Sequence, residues 1–144
     1  MNPIVEKRFE YKGYPCVVMF MLWGCHRCGY VWIMKGLKYY GKEYDELVMI
    51  DCNGGLTYAE DNLFGQDDKD MWWIGFDCAH AWDARDFKTG RRYAAADPEE
   101  LKSIEYLAEL DRKYDTGGEV RTLEYVEAEC KRILDQWEEL ANDR

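Results

Sequence analysis

The steadiest hydrophobic rhythm in the chain lies near its end. After Thr122, an oxygen-bearing residue suited to capping a helix, the apolar positions Leu123, Val126, Cys130, Ile133, Leu134, Trp137 and Leu140 recur at three- and four-residue spacing. Glu124, Glu127, Glu129, Lys131, Arg132, Asp135 and Glu138 fill the positions between them. This pattern predicts an amphipathic helix whose apolar stripe packs on a sheet, and its mainly acidic polar face disfavours a membrane surface. A second helix is predicted from Asp97-Pro98-Glu99-Glu100, where Asp can cap, Pro fits the first turn and Glu suits the positive end of the dipole. Leu101, Ile104, Leu107, Ala108 and Leu110 continue it at helical spacing, and Thr116-Gly117-Gly118 breaks the pattern.

Upstream the pattern changes to short apolar runs. Residues 4–33 read as strands, with a turn signal at Lys12-Gly13. Residues 16–23 are too continuously apolar for a one-sided strand, which predicts burial on both faces. Gly24 and Gly29 bracket residues 25–28, read as a turn, and residues 30–33 form the return strand. Residues 35–45 have no steady period and read as a surface loop or short helix. Residues 46–52 read as a third strand ended by Asn53-Gly54-Gly55, where two glycines supply positive-φ positions. Residues 59–70 read as an exposed acidic loop, 71–78 as a fourth, strongly apolar strand, and 84–96 as an irregular, mostly basic connection. Strands first and helices last predict an α+β fold in a single domain, residues 1–144. Its mainly antiparallel sheet, of about four to six strands within residues 1–83, is joined through 84–96 to two covering helices within 97–142.

Composition narrows the function classes. A chain of 144 residues that is 47% hydrophobic can bury a core and is not expected to be disordered. A net charge of −10 argues against direct, sequence-independent binding of nucleic acid, which needs cations against phosphates. It permits a basic protein partner, and it equally suits a merely soluble surface. No uncharged apolar window reaches 18 residues, so no membrane span is expected, and the N-terminal residues lack the apolar core of a secretion signal. The expectation is a cytoplasmic protein whose six cysteines are thiols. Self-association is left open.

Chemistry-bearing residues concentrate at the end of the fourth strand. Asp77, His80 and Asp83 resemble an acid–base set, since a carboxylate can fix a histidine tautomer, and they are the catalytic candidates. The neighbouring turn offers Asp51, Asn53, Thr57 and the Gly54 and Gly55 backbone to an oxygen-rich ligand. A ligand-binding pocket built from Asn53, Gly54, Gly55, Thr57, Tyr58, Trp73, Asp77, His80 and Arg85 is the expectation. Trp72, Trp73 and Tyr58 are available to stack a base, and Arg85, Arg91 and Arg92 to meet phosphates. No cofactor is expected. The alternative is zinc, held by Cys25, Cys28, Cys78 and His80, with His26 beside them, and buried free thiols explain the same residues. Cys28 or Cys78 with a histidine base is a further nucleophile reading. Gly54-Gly55 is not followed by the Lys and Ser/Thr of a phosphate-binding loop, and no dinucleotide fingerprint is present.

Several stretches carry a resemblance. They are Gly13-Tyr14-x-Cys16, Cys28-Gly29-Tyr30-Val31, Tyr40-Gly41-Lys42-x-Tyr44, Asn53-Gly54-Gly55-Leu56-Thr57-Tyr58, the run from Trp72 to His80, and Leu123-Glu124-Tyr125-Val126-x-x-Glu129-Cys130. Together the chain resembles a family of small proteins of unassigned function, found in bacteriophages and prophages of low-GC Gram-positive bacteria. In that family the Gly-Gly turn follows a His where Asn53 stands here, and a Gly occupies the position of Trp82. Since Asn does not titrate, a binder is expected over an enzyme. The resemblance implies an accessory protein acting on the host, either sequestering a nucleotide-derived defence signal or, as an anti-CRISPR-like acidic inhibitor, blocking a defence protein that holds nucleic acid. A metal-assisted hydrolase is the second alternative. The partner is accordingly a small molecule or a host defence protein.

Overall fold

The computed structural model describes residues 3–64, 66–67, 70–114 and 117–142. The sheet starts from a hairpin. β1 (Ile4–Tyr11) and β2 (Tyr14–Met21) are joined through Lys12 and Gly13, whose φ angles of 53° and 84° match the twist of a two-residue antiparallel turn. β3 (His26–Met34) returns antiparallel to β2 after a turn in which the Gly24 amide donates to the Met21 carbonyl. β4 (Tyr58–Glu60) pairs with the later strand β7 (Met71–Asp77), which inserts beside β3. The result is a five-stranded antiparallel sheet of order β1-β2-β3-β7-β4. Two short ladders flank it: β5 (Asn62–Leu63) with β6 (Gln66–Asp67), and β8 (Asp83–Ala84) in parallel with β9 (Glu119–Val120).

β2 is apolar throughout because both of its faces are covered. Cys16 and Val18 join the core under α3 (Leu123–Asn142), together with Val31, Ile33, Ile74 and Phe76. Val17, Met19 and Met21 lie on the other face with Tyr30, Leu63 and Trp73. From α3, Val126, Cys130, Ile133, Leu134 and Trp137 have no measurable exposure, and each fully buried large side chain of this kind contributes about 1.5–3 kcal/mol. The helix begins where the pattern places it, with the Tyr125 amide donating to Thr122 Oγ1 at 3.1 Å. Its close approach depends on Gly29: a Cβ there would meet the Phe76 ring at 2.6 Å and Cys130 Sγ at 2.8 Å.

The other helices form a separate shelf. α1 (Phe87–Ala94) and α2 (Pro98–Lys113) contribute Ala94 and Ile104 to a cluster with Phe20, Leu22 and Cys25 beyond the end of β2. Asp97 caps α2 by accepting from the Glu99 and Glu100 amides, and Asp86 caps α1 by accepting from the Thr89 amide. A buried ion network ties shelf to sheet. Arg27, 5% exposed on β3, donates to Glu6 of β1 at 2.7 and 3.2 Å, to Asp86 at 2.8 Å and to the Arg121 carbonyl at 3.0 Å. The Tyr93 hydroxyl donates to Glu6 at 2.7 Å.

Four readings of the sequence are corrected. The turn expected over 25–28 occupies 22–25 instead, and His26, Arg27 and Cys28 already belong to β3; Cys25, at φ 52°, takes the positive angle that ends the turn. No strand forms over 46–52. A 3₁₀ helix (Tyr44–Leu47) runs into further turns, burying Leu47 and Ile50 while Val48 and Met49 face outward, a spacing of three that belongs to a helical turn. The connection 84–96 contains α1, nucleated by the Asp86–Thr89 cap. Within the loop expected over 59–70, β4, β5 and β6 form short ladders; residues 65, 68 and 69 of that loop, like Thr116, lie outside the described residues. Among the described residues no helix is long and apolar enough to cross a membrane.

Candidate functional site

Where β7 ends, the chain makes a tight polar turn against the Asn53-Gly54-Gly55 reversal. The two stretches singled out in the sequence therefore meet. Gly54 adopts φ 75°, and a Cβ at this position would fall 2.1–2.2 Å from the His80 ring. The same ring stacks on Trp82, with centroids 4.8 Å apart and planes within 2°. His80 is thus held against an indole and against a bare backbone.

Its edge is oriented by Asp83. The Asp83 carboxylate has no side-chain exposure and takes donors from Arg121 Nε (2.8 Å), Asn53 Nδ2 (3.0 and 3.2 Å) and the His80 amide (3.0 Å). His80 Nδ1 lies 3.1 Å from the same carboxylate. Burial alone would raise the Asp83 pKa; the hydrogen bonds from Arg121, the His80 amide and Asn53 outweigh it and hold the group below its ordinary value. Asn53 is saturated. Besides donating to Asp83, its Oδ1 accepts from Trp82 Nε1 at 3.1 Å and from the Tyr125 hydroxyl at 3.2 Å. Asp77 accepts from the Thr57 hydroxyl and the Ala79 amide, both at 3.1 Å.

Direct hydrogen bonding fills the seam between the two stretches, and the open space lies to either side of it. A polar chamber of about 240 Å³ is lined by His26, Cys78, Ala79, His80, Ala81, Asp83, Arg85 and Asp111. Both histidines of the sequence reach this chamber. An adjoining chamber of about 470 Å³ is lined chiefly by apolar and aromatic side chains, among them Trp23, Tyr30, Tyr58, Phe64 and Phe76, with Thr57 and Asp77 as its polar part. His26 and Ala79 line both. His26 is 6% exposed, its Nδ1 has no hydrogen-bond partner, and burial pushes its pKa down, so the ring is neutral at pH 7. A larger hollow of about 680 Å³ runs beside the end of α3 between Lys12, Met49 and Asp135, and it gathers none of the candidate residues.

Of the expected ligand residues, Thr57, Tyr58 and Asp77 line the aromatic chamber, His80 and Arg85 line the polar one, and Asn53 and Gly54 form the seam between them. Gly55 closes the reversal by donating its amide to the Cys52 carbonyl. Trp73 is elsewhere. It is 3% exposed and stacks on Trp32 at 6.2 Å within the sheet's second core, and Trp72 packs on Tyr40 and donates to the Lys42 carbonyl. Arg85 is committed to the Gly24 carbonyl at 2.8 Å and to Asp111 at 3.4 Å, and Arg91 to Glu105 on α2. Trp23, His26, Tyr30, Phe64 and Asp111 were not singled out as ligand residues. Period-two alternation along β3 places Tyr30 on the face of Cys28 and would have found it.

The zinc candidates diverge. Cys25 packs with Ala94 and Ile104, Cys28 lies in the core with Tyr30, and Cys78 belongs to the core under α3. Among the described residues no three His, Cys, Asp or Glu side chains group as a metal site. All six thiols are buried, and burial pushes each of them up: Cys25 to about 11, Cys28, Cys16 and Cys52 to about 12, Cys78 higher still, and Cys130 well above its ordinary value. Thiolate chemistry is suppressed at such sites. With Ellman's reagent at pH 8 the native protein is expected to release no fast-reacting thiol, and six after addition of denaturant. A single fast thiol in the native state would restore the nucleophile reading.

Comparison of the chain with protein-family models, with curated proteins and with solved structures finds no match.

Proposed function

We propose that the protein binds a small molecule across the two adjoining chambers, a flat or apolar group in the larger and a polar head toward His80, Arg85 and Asp111 in the smaller. The observation that carries this reading is the junction at His26 and Ala79, where an aromatic wall and a polar wall share two side chains. Concave, mainly apolar sites with a few convergent polar groups are the usual form of a ligand pocket. In the setting that the sequence resemblance implies, such a protein sequesters a signal of the host's defence. The charges disfavour a phosphate-rich signal: among the described residues Arg85 is the one arginine lining either chamber and is already paired with Asp111, while Asp83 lines the same chamber and Asp77 the other. The acidic-inhibitor reading has less support, because α3 spends Glu127, Glu129 and Asp135 on Lys7, Arg132 and Lys12 of the same chain.

A thermal-shift panel of nucleosides, nucleotides, aromatic amines and alkylammonium ions tests the reading. A true ligand at a hundredfold excess over its Kd is expected to raise Tm by about 5–10 °C. Ala79→Phe, at an exposed position on the shared wall, should abolish that rise and leave the unliganded Tm within about 2 °C. A panel without any shift, or a shift indifferent to Ala79→Phe, would end it.

A further inference from the structure

The charges and rings of the larger chamber have a consequence for its occupant. We propose that this chamber selects an organic cation, of the class of alkylated ammonium ions, over neutral or anionic molecules of the same size. The inference rests on the small-ligand reading above and narrows it to one chemistry.

Three rings build one corner of the chamber. Tyr30 meets Tyr58 edge-on at 5.2 Å and Phe64 edge-on at 5.7 Å, while Tyr58 and Phe64 stack at 6.0 Å. Trp23 supplies a fourth ring to the lining, 61% exposed and held edge-on to His26 at 5.0 Å. Aromatic faces carry negative quadrupole density, and several of them around one space attract a poorly hydrated cation. Among the described residues Asp77 and His26 are the only acidic or basic side chains in the lining, and burial pushes the His26 pKa down toward the neutral ring. Two donors, the Thr57 hydroxyl and the Ala79 amide, hold the Asp77 carboxylate in place. Among the described residues no lysine or arginine forms an ion pair with it; its one cationic neighbour would be a protonated His80, whose Nδ1 lies 3.8 Å away and is nearer to Asp83. A fixed carboxylate that shares its lining with these rings, and that among the described residues has no lysine or arginine partner, is an acceptor for a positive ligand. An anion entering the same space would meet Asp77 unscreened, and the net charge of −10 acts in the same direction at longer range.

Isothermal titration of the full chain with choline, with its uncharged isostere 3,3-dimethyl-1-butanol and with AMP separates charge from shape. Choline is expected to bind at least tenfold more tightly than the isostere, and AMP more weakly than choline. Asp77→Asn should lower choline affinity about tenfold and leave the isostere unchanged, with an unaltered urea midpoint. Phe64→Leu, at a half-exposed ring, should weaken choline several-fold and serves if Asp77→Asn disturbs the fold. Equal binding of choline and isostere, or choline binding that neither substitution weakens, overturns the cation inference and leaves the chamber a ligand site. Binding of AMP without choline overturns it in the same way. Binding of none of the three, together with a thermal panel that shows no shift, overturns both.

Discussion

Replacing Arg27 with alanine lowers the stability of the protein by about 3–5 kcal/mol, because it strands buried carboxylates without a counter-charge. Glu6 has 4% side-chain exposure and Asp86 15%, and Arg27 donates to both. The loss exceeds a surface ion pair's worth, since neither carboxylate regains full hydration when the guanidinium leaves. Urea denaturation at pH 7 reads the effect directly. The pH dependence separates charge from packing. Burial alone would raise the Asp86 pKa, but hydrogen bonds from Thr89 and Arg27 outweigh it and hold the carboxyl low. A depressed folded-state pKa gives stability that is present above the unfolded value of about 3.9 and is lost as pH falls through the folded one. The gap between Arg27→Ala and the parent is therefore widest at neutral pH and narrows below about pH 4. A gap that stays constant from pH 7 to pH 3 would assign the loss to the missing side-chain volume. The double variant Glu6→Gln/Arg27→Met should recover part of the difference, having removed one charge of each sign.

Gly54→Ala carries the second large effect, about 2–4 kcal/mol from two sources. The backbone angle of 75° strains any residue with a Cβ, and the added methyl falls within 2.2 Å of the His80 ring. Both sources act on the clamp. If His80 moves, it leaves the face of Trp82 and the carboxylate of Asp83 together. In a His80→Ala background the collision disappears and the strain remains, so Gly54→Ala should there cost roughly half as much, near 1–2 kcal/mol. Strictly additive urea midpoints would refute the packing of the ring over the glycine.

The sequence was most legible where one signal dominated. The α3 stripe, the Asp97-Pro98 start of α2 and the two-faced run of β2 all formed as their patterns dictate. The misreadings came from signals of comparable strength. Residues 47–50 are a short apolar run, and only the outward Val48 and Met49 reveal a turn instead of a strand. Asp86 and Thr89 stand three apart, a capping pair that the neighbouring arginines obscured in a segment otherwise read as basic and irregular. At the site, the meeting of Asn53 and Gly54 with His80 and Asp83 was foreseeable as two turns at strand ends. What escaped was the extent of the contact. Asn53 and Trp82 are bonded to each other, so the seam is closed and the space opens beside it. Trp23, Tyr30 and Phe64 converge only through the strand order, which no local pattern encodes.

That strand order also governs how the chain must assemble. β1, β2 and β3 are linked by tight turns and can pair as soon as they exist, but Cys28 meets Asp77 and Met34 meets Met71 only after a long excursion closes. The helix that covers the first core comes last, at residues 123–142. Until it docks, Val18, Val31, Ile33, Ile74 and Phe76 form a bare apolar plane. Non-local pairing of this kind places folding in the range of about milliseconds to seconds, and a face uncovered for that time is open to wrong associations. Production of the protein during rapid synthesis thus depends on how quickly α3 reaches the sheet, and on whatever shields that plane in the interval.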